Sequence, residues 1–341
     1  MGIFSERIAI DLGTAFSVVA HQSSKHYWRI ASSVAFDRSL ARFVAFGDEA
    51  KEMSGRCPEK YEVIRPLRDG VISDFRATNC YLNHLLDQAT RRSFAIHYDI
   101  FLCVPWGATA VELQSYLYSL RRRRCRVQLI REPFAAALGC GQDILSEKFN
   151  TIIDMGGGTT EIATIRGGYM VQASSLRHAG NYCDQLIMDA IRSEKAFEIG
   201  ISTAEQIKMS HGSVWFQAFD DEIPIKGSRR ETRRPELGSV CVNDLAAYLE
   251  PYALKVEQKI KEHLGRLSTE AKRAVEMEGI SLAGGTSLLK GWKERLEPKL
   301  GIPIRLTDRP THGVIRGMRK IIQNPRLYEN VIRISEKVYS S

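Results

Sequence analysis

The sequence predicts an α/β protein built from two similar halves that face one another. Three observations carry that prediction. A short apolar run that ends on an acid and a glycine–threonine turn occurs twice, strand-like and helix-like segments alternate along the chain, and a further glycine turn follows late in the sequence.

The first copy is Arg7-Ile8-Ala9-Ile10-Asp11, followed by Leu12-Gly13-Thr14-Ala15 and a second β-rich run from Ser17 to Ala20. The second is Asn150-Thr151-Ile152-Ile153-Asp154, followed by Met155-Gly156-Gly157-Gly158-Thr159-Thr160-Glu161 and a run from Ile162 to Ile165. Each reads as a β-hairpin with few side chains in its turn. Between the copies, Ile100 to Pro105 reads as a buried strand, Ala108 to Arg121 as a helix and Val127 to Ile130 as another strand. Pro133 to Gly139 resembles a helix opened by proline and closed by glycine. Asp184 to Arg192 is amphipathic, and a longer helix is expected after Asn243, its candidate cap, with a bend at Pro251. Gly279 to Ala283 reads as a strand that passes through Gly284-Gly285-Thr286 into a helix.

The 341 residues allow two domains or one large bilobed one, and 44% apolar with 26% charged residues describes an ordinary globular chain. No apolar run approaches the roughly 20 residues of a membrane helix, and no signal peptide is evident. Seven scattered cysteines without a Cys-x-x-Cys pair read as reduced thiols in a cytoplasmic protein. The net charge of +8 gathers at Arg91-Arg92, at Arg121 to Arg124 with Arg126, and at Arg229-Arg230 with Arg233-Arg234. These clusters are either a solvated face or a surface for an anionic partner. No nucleic-acid-binding signature accompanies them, so lipid headgroups are the better candidate and nucleic acid the weaker one.

Glycine exposes backbone N–H groups, and beside small hydroxyl residues these make a cradle for phosphate oxygens. Gly13, Thr14 and Ala15 can hold one end of a polyphosphate, and Gly156, Gly157, Gly158 and Thr159 the other. Asp11 and Asp154 are delivered beside these turns, where they suit Mg²⁺ bound largely through its waters, because Mg²⁺ sheds water reluctantly. A lone Asp-x-Gly-Thr is an ordinary tight turn; the pairing, with Gly284-Gly285, points to a nucleotide.

The strings Ile10-Asp11-Leu12-Gly13-Thr14, Asp154 to Glu161 and Ala283-Gly284-Gly285-Thr286 resemble the two phosphate motifs and the adenosine motif of the actin, sugar kinase and heat-shock chaperone superfamily. Ile64 to Phe75, Cys103 to Thr109, Arg131 to Gly139, Thr203 to Lys208 and Gly313 to Gly317 narrow the likeness to the actin-like MreB family, from about residue 7 to 322. The resemblance implies an actin-like ATPase fold of two ribonuclease H-like lobes around a central nucleotide cleft. The first lobe would be residues 1–145, with a small insert at about 33–64, completed by 310–341. The second would be residues 146–309, with an insert at about 182–243. It also implies roles for single residues. Glu132 would orient the attacking water with Thr159 as partner, beside Asp154; on its own Glu132 is an acid favoured at a helix N-terminus. Glu205 and Lys208, three apart on one helix face, would hold ribose and adenine instead of forming a surface ion pair. Gly180, Asn181 and Asp184 would close over the phosphates.

Three departures stand out. Ala179-Gly180-Asn181 replaces the usual Gly-Gly-Asp and is closer to MamK, the magnetosome-organising branch. Thr286 stands at the third adenosine-motif glycine, as in eukaryotic actin. Phe16 replaces a small polar residue after the first turn, where it either crowds the γ-phosphate or packs beneath the hairpin.

By resemblance, the expected activity is slow ATP hydrolysis with Mg²⁺, coupled to polymerisation of the chain with itself into cytoskeletal filaments for cell-shape determination. The alternatives are a filament that positions an organelle or DNA, and a small-molecule kinase on the same fold. Family members commonly lie on the inner membrane, where membrane-bound shape or positioning proteins are possible partners. Candidate membrane contacts here are Ile3-Phe4 and Phe94 with Ile96, the latter beside Arg91-Arg92.

Overall fold

Asp11 and Asp154 each lie near the carboxyl end of the central strand of a five-stranded sheet, and the two sheets repeat one plan. This computed structural model describes residues 5–336 except 25, 55–57, 92, 94, 122, 123 and 233. In the first sheet the spatial order is Cys125–Arg131, His97–Val104, Ser5–Leu12, Phe16–His21 and Tyr27–Ala31. In the second it is Ile304–Leu306, Ile280–Ala283, Asn150–Met155, Thr160–Arg166 and Tyr169–Leu176. Ser5–Leu12 runs antiparallel to the next strand in sequence, with Asp11 opposite Val18, and parallel to His97–Val104, with Asp11 beside Cys103. Asn150–Met155 does the same, with Asp154 opposite Glu161 and beside Ala283. The repeated turn strings thus report a repeated topology, and both acids emerge where parallel strands end, the usual place for a ligand in α/β sheets.

The central strands are apolar on both faces because both faces are covered: Ile8, Ala9, Ile10, Ile152 and Ile153 are fully buried. One core packs the Phe75–Thr90 helix on the outer face of the first sheet. Another packs the Val242–Gly265 helix on the outer face of the second. Between the sheets lie the helices Glu132–Gly139 and Gly313–Gln323, whose apolar residues share a core with Ala9, Val18 and Phe101 on one side and Ile152, Ala163 and Ile165 on the other. These two helices touch at glycine. A Cβ on Gly139 would lie 1.7 Å from the Gly313 carbonyl oxygen, and one on Gly317 would lie 1.8 Å from that of Ala135. No side chain fits there.

Two three-stranded sheets stand apart from the five-stranded ones. Arg42–Phe46, Val34–Asp37 and Tyr61–Ile64 form one, and Phe197–Glu198, Glu222–Arg229 and Pro235–Cys241 the other. Several sequence expectations shift in detail. The helix expected from Pro133 begins at Glu132, and the one expected from Asp184 begins at Gly180. The long helix starts at Val242 with Cys241 as its cap and continues through Pro251. Asn243 is therefore inside the helix; its side-chain oxygen instead accepts from the Gln217 N–H at 2.7 Å, fixing the preceding loop. The segment after Gly284 is a single 3₁₀ turn, Gly285–Leu288. Among the described residues six cysteines are free, and no helix is long and apolar enough to cross a membrane.

Candidate functional site

The two glycine turns meet at the floor of one cavity of about 230 Å³. A Cβ on Gly158 would lie 2.3 Å from Thr14 Oγ1, and one on Gly157 would lie 3.1 Å from the Ala15 Cβ. Thr14 Oγ1 accepts from the Gly70 N–H at 3.2 Å, so a loop after the first small sheet is drawn over the same floor. The second turn also anchors a helix. The N–H groups of Gly180 and Asn181 donate to the carbonyls of Gly156 (3.2 Å) and Gly157 (2.8 Å), which sets the start of Gly180–Lys195 against the cavity. Thr286 closes the third side, its hydroxyl donating to the Gly156 carbonyl at 2.7 Å. Gly284 has φ +82°, and a Cβ there would lie 2.2 Å from the Met155 carbonyl oxygen and 2.5 Å from Asp154 Oδ1. Only glycine lets that turn come so close to the acid.

Four carboxylates converge here. Asp11, Glu132 and Asp154 line the cavity, and Glu161 is buried behind it. Burial raises Asp11 to about 7. Burial, then the charges of Asp11 and Glu161, raise Asp154 to about 8. Glu132 is pushed well above the usual carboxylate range by burial and by Asp154, Glu161 and Asp11. Glu161 rises to about 7 through burial, although the N–H groups of Trp106 (2.8 Å) and Gly107 (3.4 Å) donate to it and Arg131 lies near. A cluster of like charges in a low-dielectric site calls for a cation. Asp154 Oδ2 is buried with no hydrogen-bond partner, a lone pair left open toward such an ion. Among the described residues no three acids or histidines are grouped to hold a metal directly. The open Asp154 oxygen beside the other acids of the cavity fits Mg²⁺, which keeps most of its waters, with Asp11 and Asp154 as the residues that would hold it.

The cavity also has apolar lining. Met209, Leu288, Leu289 and Pro310 line it together with Glu205 and Lys208. Although Glu205 and Lys208 share a helix, Ile201–His211, tertiary partners pull them apart. Lys208 Nζ lies 2.6 Å from Asp184 Oδ1 and donates to the Gly180 carbonyl at 2.8 Å. Glu205 pairs with Lys51 Nζ at 3.0 Å, a partner far away in sequence. Asp184 does not reach the cavity; it holds Lys208, and burial raises its pKa to about 6 against the pull of that lysine.

Every other residue named from sequence for nucleotide, metal or catalysis lines this one cavity: Gly13, Thr14, Ala15, Phe16, the Gly156–Thr159 turn, Gly180, Asn181, Glu205, Lys208 and Gly284 to Thr286, beside Asp11, Glu132 and Asp154. Sequence reasoning missed Arg29 and the apolar wall formed by Met209, Leu288, Leu289 and Pro310, none of which belongs to a motif, and it quoted Gly70 within the Ile64 to Phe75 string without giving it a role. It quoted Glu161 within a motif without a role; its position next to the second turn was the available signal. Of the membrane candidates, Ile96 is 40% exposed, whereas Ile3, Phe4 and Phe94 lie outside the described residues.

Residues 5–330 match the family model described as MreB/Mbl protein. The chain belongs to the MreB/Mbl family. It is 34% identical over 334 residues to the cell shape-determining protein Mbl of Bacillus cereus, covering 97% of this chain and 100% of that one. It is 32% identical to the cell shape-determining protein MreB of Escherichia coli, covering 94% of each. Among solved MreB/Mbl-type structures, MreB5 of Spiroplasma citri bound to ADP superposes with a TM-score of 0.89 at 26% identity, covering 96% of this chain and 98% of that one. A MamK double helical filament matches at TM-score 0.79 and 22% identity, covering 94% and 99%, which shows the actin-like fold alone.

Proposed function

We propose that this MreB/Mbl-family chain binds ATP in the cleft, hydrolyses it slowly with Mg²⁺, and polymerises into filaments that act in cell-shape determination. The observation that carries the reading is the convergence of both Asp–Gly–Thr turns and the adenosine-type turn on one cavity. The relatives named for cell shape support the cellular role, and the nucleotide-bound MreB5 structures support the ligand. Two lobes, residues 1–145 with 310–341 and residues 146–309, would close on the nucleotide, and the Lys51–Glu205 pair between them supports such closure.

In this reading the glycine turns grip the phosphate chain through backbone N–H groups, and Thr14 and Thr159 add hydroxyls. When bound, Mg²⁺ neutralises the phosphate charge and that of Asp11 and Asp154. Glu132 orients a water in line with the γ-phosphorus, helped by Thr159. The water oxygen bonds to phosphorus, the bond to the ADP oxygen breaks, and the water's proton passes to Glu132 or to the departing phosphate. A head-to-tail contact between identical subunits then extends without closing, which makes a filament. Pelleting and electron microscopy test this. Purified protein is expected to sediment as filaments with ATP and Mg²⁺ and to stay in the supernatant without nucleotide; dispersed protein under both conditions would reject polymerisation.

Peripheral attachment to the inner membrane extends the proposal, supported by Ile96 exposed close to Arg91. Apolar side chains beside arginine suit an anionic leaflet. Co-sedimentation with anionic liposomes is expected to fall several-fold when Ile96→Ser is combined with Arg91→Ser, and unchanged binding would remove this surface from the proposal.

A further inference from the structure

Phe16 is the residue for which the sequence offered two readings, crowding of the γ-phosphate or packing beneath the hairpin, and the structure gives it a third environment. Phe16 begins the strand Phe16–His21 and lines the cavity. Val18, two residues on, lies on the same face and also lines the cavity, and Arg29 is its cross-strand partner. Phe16 and Arg29 are therefore diagonal neighbours on one face, and the Arg29 guanidinium carbon stands 3.3 Å from the centre of the Phe16 ring.

The cavity presents two cations, and they differ in commitment. Lys208 is held by Asp184 and by the Gly180 carbonyl. Arg29 makes no hydrogen bond or close ion pair with any described residue; its neighbours are the Phe16 ring and, farther off, the charges of Glu205 and Asp48. Lys51 approaches the same ring at 4.6 Å, but its ammonium is taken by Glu205. A stacked guanidinium keeps its N–H donors in plane and open, the geometry that suits phosphate oxygens. The remaining charged groups on the cavity wall, Asp11, Glu132, Asp154 and Glu205, are acids and give a polyanion nothing.

The geometry points to Arg29 as a phosphate-binding residue of this site, held in place by stacking on Phe16. This rests on the nucleotide reading above and adds to it a side-chain contact outside the glycine turns. It also gives Phe16 a task, since a small polar residue at that position would leave the guanidinium without its platform. Arg29 is exposed at the cavity mouth, so its replacement does not disturb a core.

Competition against a fluorescent ADP analogue, with adenosine, AMP, ADP and ATP as competitors, tests the assignment. Arg29→Leu is expected to weaken ADP and ATP about tenfold, the worth of one charge-assisted contact, and to leave adenosine unchanged. The first member of the series to show the loss identifies the phosphate that is touched. Phe16→Asn is expected to weaken ADP by a smaller factor in the same pattern, Phe16→Tyr to restore it, and added salt to narrow the gap between wild type and Arg29→Leu. Equal ADP affinity in wild type and Arg29→Leu overturns the assignment while leaving the nucleotide reading intact, as does an equal loss for adenosine. A wild-type protein that binds no adenine nucleotide overturns both.

Discussion

Replacing Glu132 with alanine is expected to lower ATP turnover by about a hundredfold or more while ADP affinity stays near the wild-type value. The carboxylate sits at the first residue of the Glu132–Gly139 helix, half-buried, on the wall that Asp154 and Thr159 share. Positioning of water contributes only along the reaction coordinate, so the effect belongs in turnover and not in binding. Phosphate release under single-turnover conditions checks it, and unchanged hydrolysis would take Glu132 out of the mechanism. The same substitution removes one of four like charges from a buried cluster, so without metal the variant is expected to be more stable than wild type at alkaline pH.

The pH dependence follows from the direction of the shifts. Asp11, Asp154 and Glu161 have folded-state pKa values raised to about 7, about 8 and about 7, and burial with the neighbouring acids also holds Glu132 well above the usual carboxylate range. A carboxyl raised in the fold binds its proton more tightly there than in the unfolded chain, so the native state holds more protons from about pH 4 upward. The stability these groups allow is full below the unfolded value near 4 and is lost as pH rises through the folded values. On the acid side His263 acts in the opposite sense. It is buried between Thr164 and Ser174 and lowered to about 4 by desolvation, so its contribution is lost as pH falls below about 6.5. The clean window is therefore about 6.5 to 8.5. Across it the melting temperature of the nucleotide-free protein is expected to fall, and Mg²⁺ with ADP is expected to raise it more at the upper end. A flat profile with no Mg²⁺ effect would show that the four acids are not coupled as the geometry has them.

Gly317→Ala is expected to destabilise the protein by about 3 kcal/mol, at the upper end of the range for overpacking. The added Cβ would meet the Ala135 carbonyl oxygen at 1.8 Å, backbone against backbone, with no flexible side chain to yield. The two helices must separate, and they are the layer that both large sheets share through one core. Gly265→Ala is the control. It faces open space without a positive φ, and is expected to shift stability by less than about 1 kcal/mol. Urea midpoints of the two variants check the contrast; equal midpoints would mean that the helix crossing is looser than described. The same reasoning predicts that Gly317→Ala disturbs ADP binding from a distance, because the residues of both turns ride on the sheets this crossing joins.

What the sequence disclosed and what it concealed differ for a physical reason. The turns at Gly13 and Gly156 were legible because a tight glycine turn is made by contiguous backbone, so it must be written in adjacent letters. The strands before them were legible because burial on both faces leaves an uninterrupted apolar run. The helix Glu132–Gly139 announced itself through its early proline and its glycine, although the reason for Gly139, a partner helix more than 170 residues away in sequence, could not be read. Asn243 was misjudged because its side chain answers to Gln217 and not to its own helix, and local propensity has no access to such a partner. The Phe75–Thr90 helix went unnoticed, although Asp74 caps it by accepting from the Ala77 N–H at 2.8 Å.

By itself, the sequence determined the repeated strand–Asp–Gly–Thr plan, the kind of ligand that plan suits, and the family. Only the tertiary structure decided who partners whom: Glu205 with Lys51, Lys208 with Asp184, Glu161 with the Trp106 and Gly107 amides, and Arg29 with Phe16. Backbone turns are local and so survive as motifs. Side-chain charges are long-reaching and pair with whatever the fold brings within about 4 Å, so their partners are known only once the chain has closed on itself.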